Sequence, residues 1–289
     1  MNGAINIDNF DTLTNDRFAN DASFIGAGLD FSGVAIADEA PLTDSDTDGR
    51  WLTMISPNVF LSVQHSTFFP NNGQSVTFYA SNDPLGGSTT RTVQSSQQIG
   101  SSDVRIGVLD SPLPSNYAYY DYATETFDQA FPSGAYDISS APYYEETAFI
   151  FGRSPTPGWD TTQDIAVGRN VLDIWWVDYE GTHEAVVAVY DDVLDPNYVS
   201  SEAFLRAGDS GGPVLVDDGM GGLTIIGLNW FSSVGNFSGF SYLGNYSEEI
   251  DAFIAANPVP EFRLFALLAG LCSAAFVISS RKENRGLDS

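Results

Sequence analysis

Between Trp51 and Asn229 the apolar residues come in short runs broken by Gly, Asn, Pro and Asp, a rhythm that leaves little room for long helices. Residues 51–56, 59–63, 75–80, 91–93 and 104–109 read as strands of a first half, with Asn71-Asn72-Gly73 and Pro84-Leu85-Gly86-Gly87 as turns. Residues 147–151, 165–171, 174–177, 185–190, 213–216 and 223–229 read as strands of a second half, with a hairpin connection at residues 217–222. A looser stretch rich in Tyr and Pro, residues 110–142, joins the halves. Many short strands at this spacing predict an all-β sandwich or barrel architecture. A chain of 289 residues is long enough to bury one large core or two small ones. No short internal repeat is visible. One helix is expected at residues 245–254, with Asn245 or Ser247 as cap, acids in the first turn, and Ile250, Phe253 and Ile254 on one face.

One string departs from this pattern. Gly208-Asp209-Ser210-Gly211-Gly212-Pro213 sets a serine among glycines ahead of the apolar run Val214-Leu215-Val216. Without a Cβ, glycine admits backbone angles that turn two N–H groups toward one point. A hydroxyl held at that point can attack a carbonyl while the N–H groups stabilise the oxyanion. Gly-Ser-Gly alone is equally a hairpin turn with an exposed serine, so the string needs a base to give it meaning.

The chain has two histidines. His65 ends the stretch Val59-Phe60-Leu61-Ser62-Val63-Gln64-His65-Ser66, a hydrophobic strand followed by small or polar residues. His183, after Gly181-Thr182, reads as a surface or strand-edge histidine. The orienting carboxylate is expected to open a later strand, and Ser102-Asp103-Val104-Arg105-Ile106 supplies Asp103, with Asp110 and Asp83 as competitors. These three stretches resemble the motifs of trypsin-like (chymotrypsin-fold) serine peptidases. The order His65, Asp103, Ser210 matches theirs and differs from that of subtilisins and α/β-hydrolases.

The resemblance covers residues 24–256 and implies two packed antiparallel six-stranded β-barrels closed by a helix. Barrel one would span about residues 24–112 and barrel two about 140–245, with the site in the cleft between them. It implies a serine endopeptidase acting on protein or peptide through His65, Asp103 and Ser210, with the N–H groups of Gly208 and Ser210 as oxyanion hole and no cofactor. It places Phe204 at the base of the primary substrate pocket and Asn229, Trp230 and Phe231 in its wall. An acidic pocket base is absent there and Phe231 stands where the family has a small residue, so a shallow apolar pocket is expected, without preference for Lys or Arg. Ser66 replaces the usual Cys. Animal relatives bury a freed Ile-Val-Gly-Gly amino terminus against the Asp before the nucleophile. Here Ile25-Gly26 has no Arg or Lys before it, so Asp209 is expected to find other partners.

Composition narrows the alternatives. A net charge of −27 argues against nucleic acid, whose phosphates need clustered Lys and Arg. Cys272 is the single cysteine, so the barrels are held without an internal disulfide. Asp44-Ser45-Asp46-Thr47-Asp48-Gly49 has the alternating carboxylates of half a calcium loop, but Ile55 stands where an EF-hand needs its Glu. It is read as an exposed acidic turn, with a lone calcium as the other option and no metal assigned.

The ends read as separate modules. Residues 1–23 are polar and read as a loosely attached arm, and residues 1–8 lack the basic and apolar regions of a secretory leader. Residues 257–289 begin with Pro258-Val259-Pro260-Glu261-Phe262-Arg263. An apolar run from Leu264 to Ser280 follows, then Arg281, Lys282 and Arg285. Such a run is at the short end of a single transmembrane-type helix, and its basic flank would face the cytoplasm. The layout resembles the PEP-CTERM sorting signal of Gram-negative bacteria, with Phe262 in place of the second Pro. That resemblance implies export to the cell envelope or surface, at least transient membrane anchoring, and a sorting enzyme as partner. A second class of function remains open at this point: a catalytically silent surface or matrix binding protein on the same scaffold.

Overall fold

The alternation of side chains in β-strands decides how the described part of this protein is layered. A computed structural model describes residues 4–37, 50–65, 70–127, 141–156, 162–179, 183–233 and 237–259. The chain begins with a short strand β1 (Asn6–Ile7), a single helical turn α1 (Thr12–Asn15) and a 3₁₀ turn (Arg17–Ala19). The first half then supplies β2 (Val34–Ile36), β3 (Trp51–Met54), β4 (Val59–Val63), β5 (Ser75–Tyr79), β6 (Ser88–Gln98) and β7 (Val104–Leu109). The crossing and second half supply β8 (Asp121–Tyr122), β9 (Thr147–Gly152), β10 (Ala166–Val171), β11 (Ile174–Tyr179), β12 (His183–Val189) and β13 (Ala203–Phe204). They end with β14 (Pro213–Asp217), β15 (Leu223–Ser233), β16 (Phe237–Tyr242) and a helix α2 (Ser247–Ala256).

The first half forms a six-stranded antiparallel sheet in the order β2-β3-β4-β7-β6-β5. A bridge between Ala37 and Val76 brings its two edges together, giving a nearly closed barrel. Along β4, Phe60 points into this barrel with Leu52, Met54, Val76 and Phe78. Its neighbours Val59, Leu61 and Val63 point the other way, into a layer that also holds Trp51, Phe151, Leu215 and Leu228. In the second half, Val214 and Val216 of β14 face their own interior while Leu215 faces the shared layer. Both faces of these central strands are thus buried, which is why they read as unbroken apolar runs.

The second half departs from the expected six-stranded barrel. Its sheet runs β10-β9-β14-β15-β16-β12-β11, with β8 added beside β15, and curls without closing. The free edge of β10 is occupied by other chain segments. Asp16 bridges to Ala166, the Arg169 N–H donates to the Ser201 carbonyl at 2.8 Å, and the Asn170 side chain donates to the Ala203 carbonyl at 3.0 Å. The result is a barrel packed on a curled half-barrel, an arrangement consistent with the chymotrypsin-like double barrel.

The amino-terminal arm is not loose. β1 pairs with β13, and Ile5 and Ile7 belong to the half-barrel core. Arg17 is fully buried, donating to the carbonyl of Val34 at 2.8 Å and to the side chain of Asn82 at 3.2 Å. Burial lowers its pKa to about 10, so it stays cationic at neutral pH. The polar composition that suggested a solvated arm instead serves buried hydrogen bonds, a pattern that hydropathy cannot distinguish from exposure. Helix α2 is present, but Asn245 does not cap it. Its side chain accepts the Phe127 N–H at 2.7 Å, and no side chain caps the helix start at Tyr246. Glu248 and Glu249 in the first turn favour the helix dipole, and Ile250 is buried. Among the described residues no helix is long and apolar enough to cross a membrane. The run from Leu264 to Ser280, the acidic turn at Asp44–Gly49 and Ser66 lie outside the described residues.

The arm also covers an unusual carboxylate. Glu202 is fully buried, one of its oxygens has no hydrogen-bond partner, and Asp191 and Asp173 lie near it. Burial pushes the Glu202 pKa up to about 8 and that of Asp173 to about 6. An acid with a raised folded-state pKa supports the fold while protonated. That support fades as pH climbs from the unfolded value near 4.3 through about 8. Glu202→Gln is therefore expected to reduce the fall in melting temperature between pH 5 and 8.5, checked by thermal unfolding of both proteins across that range.

Candidate active site

Barrel one presents the end of β4 and the start of β7 side by side. The Gln64 N–H donates to the Asp103 carbonyl at 2.7 Å, which carries the β4–β7 pairing one step beyond Val63, sets Gln64 opposite Asp103 and leaves His65 next along the chain. The His65 main-chain N–H then donates to Asp103 Oδ1 at 2.6 Å, and His65 Nδ1 lies 2.6 Å from Asp103 Oδ2. Asp103 is buried, and Ser241 of β16 donates its hydroxyl to the same Oδ2 at 3.3 Å. A carboxylate oxygen only accepts, so the Nδ1 proton faces Asp103 and Nε2 is left with a lone pair. That lone pair faces Ser210 Oγ at 2.9 Å. The three residues chosen from sequence therefore form one continuous relay. The competing acids play other parts: Asp110 accepts the Thr92 N–H and Asp83 accepts the Leu85 N–H. His183 opens β12 opposite Tyr179.

The serine sits in a loop held by several main-chain hydrogen bonds. Asp209 is fully buried and accepts the N–H of Arg153 at 2.8 Å on one oxygen and the N–H of Arg206 at 2.7 Å on the other. Burial nevertheless drives its pKa well above the usual carboxylate range. The Asp209 carbonyl accepts from Asn229 Nδ2 at 2.9 Å and from the Gly212 N–H at 3.0 Å. Because a peptide is planar with N–H and C=O opposed, those bonds aim the Ser210 N–H the other way. Gly208 has φ of +105°, a conformation that strains any residue with a Cβ. At Gly211, a Cβ would press to 3.1 Å on Val63 of the other barrel, so close docking requires glycine there. Among the described residues, the N–H groups of Gly208 and Ser210 donate to no other group of the chain.

A recess of about 150 Å³ opens beside Ser210, lined by Leu205, Ala207, Trp230 and Phe231 among others. Phe204 is not part of it. That side chain is buried in β13, opposite Asn6, with its ring edge-on to Tyr190 at 6.2 Å. Strand alternation turns Leu205, one residue on, toward the recess instead. Asn229 borders the recess, and its Nδ2 group holds the loop by donating to the carbonyls of Phe151 and Asp209. Trp230 and Phe231 do form the wall, ring centroids 5.3 Å apart, and the Phe231 ring lies over Gly239 on the neighbouring strand.

Three residues of the site escape a reading of the sequence. Ser241 lies on β16, whose Phe237-Ser238-Gly239-Phe240-Ser241-Tyr242 run lacks a clean apolar period. Arg153 acts through its main chain, which leaves no trace in residue type. Trp51 donates its indole N–H to the Gly208 carbonyl at 3.2 Å across the barrels, and the sequence marked it only as the start of a strand. Among the described residues no group of His, Cys, Asp and Glu is placed to hold a metal ion. No protein-family model matches this chain, and no curated protein matches it.

Asn at position 209 offers one acceptor oxygen to two N–H donors and turns an amide group toward the other. Asp209→Asn is expected to lower the free energy of unfolding by about 1–3 kcal/mol, read from urea denaturation. The low-field NMR signal of the His65 Nδ1 proton, which belongs to the other barrel, should persist in that variant.

Proposed function

We propose that this protein is a serine endopeptidase that cleaves peptide bonds through an acyl-enzyme. The observation that carries the reading is the unbroken relay from Asp103 Oδ2 through His65 to Ser210 Oγ, at 2.6 and 2.9 Å. In this reading His65 Nε2 takes the proton as Ser210 Oγ attacks the scissile carbonyl, and the bond from Nδ1 to Asp103 stabilises the resulting imidazolium. The negative oxygen of the tetrahedral intermediate is received by the Gly208 and Ser210 N–H groups. His65 then returns its proton to the leaving amine, and water repeats the sequence on the acyl-enzyme. These roles are the general ones of a Ser-His-Asp set, here supported by side chains already within bonding distance. No cofactor enters any step.

A binding scaffold that had given up catalysis would have no need for all three groups in register. The decisive experiment is labelling with a fluorophosphonate, which bonds to an activated serine. Wild-type protein should label and Ser210→Ala should not. Equal labelling of both, or of neither, would remove the peptidase reading in favour of the silent scaffold.

The shape of the recess bears on specificity. With Trp230 and Phe231 in its wall, and with both oxygens of its one acid, Asp209, already bonded to main-chain N–H groups, it suits a small or medium apolar side chain before the cleaved bond. A fluorogenic peptide panel is expected to show no preference for Lys or Arg. Phe231→Ala should raise the turnover of substrates with a larger apolar side chain there by about tenfold relative to small ones. We further propose, on the PEP-CTERM-like layout after Pro258, that the protein is exported and held at the cell envelope, at least transiently, by its carboxyl-terminal segment.

A further inference from the structure

Two N–H groups must face one point for an oxyanion hole to exist, and they are held by different parts of the molecule. The Ser210 N–H is aimed from within the second half, because Asn229 and Gly212 both hold the Asp209 carbonyl. The Gly208 N–H has no such anchor on its own peptide. Its position depends on the next peptide, whose N–H, that of Asp209, donates to the Arg206 carbonyl at 3.1 Å. The carbonyl of that same peptide, Gly208 O, accepts the indole N–H of Trp51 at 3.2 Å. Trp51 opens β3 of barrel one and is fully buried. Its own Cβ would lie only 3.5 Å from a Cβ placed on Gly211, so the loop rests directly on it.

We infer that Trp51 is a positioning residue of the oxyanion hole, its indole N–H holding the Gly208 carbonyl and so the Cα from which the Gly208 N–H projects. Glycine at φ +105° lets the flanking peptides rotate with little steric resistance, and the 208–209 peptide is held on both sides, by the Arg206 carbonyl from within the loop and by the Trp51 indole N–H from the other barrel. The second tether comes from the barrel that carries His65 and Asp103. It therefore sets the hole in register with the base, a task that no bond internal to the second half performs. A buried indole N–H also needs an acceptor for stability alone. The two roles separate in kinetics, because stability does not govern how an already folded site treats its transition state.

The inference rests on the peptidase reading, and the test keeps the two apart. Wild-type and Ser210→Ala proteins are first compared by fluorophosphonate labelling; if Ser210 is inert, both readings fall. Trp51→Phe keeps an aromatic ring and loses the donor. Replacement of Trp51 by benzothienylalanine keeps the indole shape with sulfur in place of N–H, and carries the test should Trp51→Phe not fold. Hydrolysis of 4-nitrophenyl acetate and inhibition by phenylboronic acid are then measured; the boronic acid forms a bond to the serine oxygen and leaves an oxygen in the hole. The donor-free variants are expected to lose about tenfold in kcat, less than the 10²–10³ of a deleted hole donor. Boronate affinity should fall in parallel while KM stays within about twofold. Unchanged kcat and boronate affinity, or a loss confined to KM or to melting temperature, would overturn the inference while leaving the peptidase reading intact.

Discussion

The shared apolar layer between the two halves is the constraint on which the site depends. His65 and Asp103 belong to one side of it and Ser210 to the other, yet His65 Nε2 and Ser210 Oγ lie 2.9 Å apart. A hydrogen bond weakens steeply beyond about 3.2 Å, so the halves must dock with an error of a few tenths of an ångström. Val63, Trp51, Leu215, Leu228 and Phe151 supply that fit by close packing, which resists small displacements as an organic crystal does. Each fully buried side chain of this kind stabilises by roughly 1.5–3 kcal/mol, so cohesion here needs no disulfide. Polar ties then add direction to packing. Ser241 reaches from the second half to Asp103, and Trp51 reaches from the first to Gly208.

Two fully buried ionisable side chains, Asp209 and Arg17, are served largely by main-chain groups, whereas Arg153 and Asp164 form an ion pair at 2.7 Å. Among the described residues Asp209 has no side-chain partner of opposite charge in bonding contact; two N–H groups serve it, one per oxygen. Arg17, equally buried, gives its protons to main-chain carbonyls and an amide. Such arrangements lose stability sharply when one partner is removed, since the other is stranded away from water. Glu202 shows the opposite case, an acid buried among acids with one oxygen unserved. Its raised pKa is the physical consequence: neutrality costs less there than charge.

Legibility in the sequence followed how directly residue type reports environment. Strands β4 and β7 fall where their apolar runs predict, because both of their faces are buried. β6 spans Ser88–Gln98 although only its centre was expected, since Val93 is its single buried residue and the rest are Thr, Ser, Gln and one Arg, half-buried or exposed. β16 was missed because small and polar residues, Ser238, Gly239 and Ser241, occupy buried positions where hydrogen bonds and a crossing aromatic ring replace apolar side chains. The arm was misjudged for the same reason, with Asn15, Asp16 and Arg17 all buried. At the site, the convergence of His65, Asp103 and Ser210 was legible because the proposed chemistry asks for those residue types in that order. Phe204 was misplaced by counting along a loop, where one residue's error reverses the facing.

The treatment of Asp209 also bears on how the loop acquires its shape. A carboxylate that awaited a freed amino terminus would have to be unserved, or served elsewhere, until that terminus arrived. Here its partners are the N–H groups of Arg153 and Arg206, which are in place as soon as β9 and the loop have folded. The amino-terminal arm contributes to this from outside. Ile5 donates its N–H to the Arg153 carbonyl at 3.0 Å, and Asp16 accepts the hydroxyls of Ser154 and Thr156. The segment that carries one of the two Asp209 donors is thereby braced on both sides of Arg153. Gly152, just before it, has room for no side chain, since a Cβ there would meet both Asp209 and Ile5. Arm, strand end and the loop around Ser210 thus form a single packed unit.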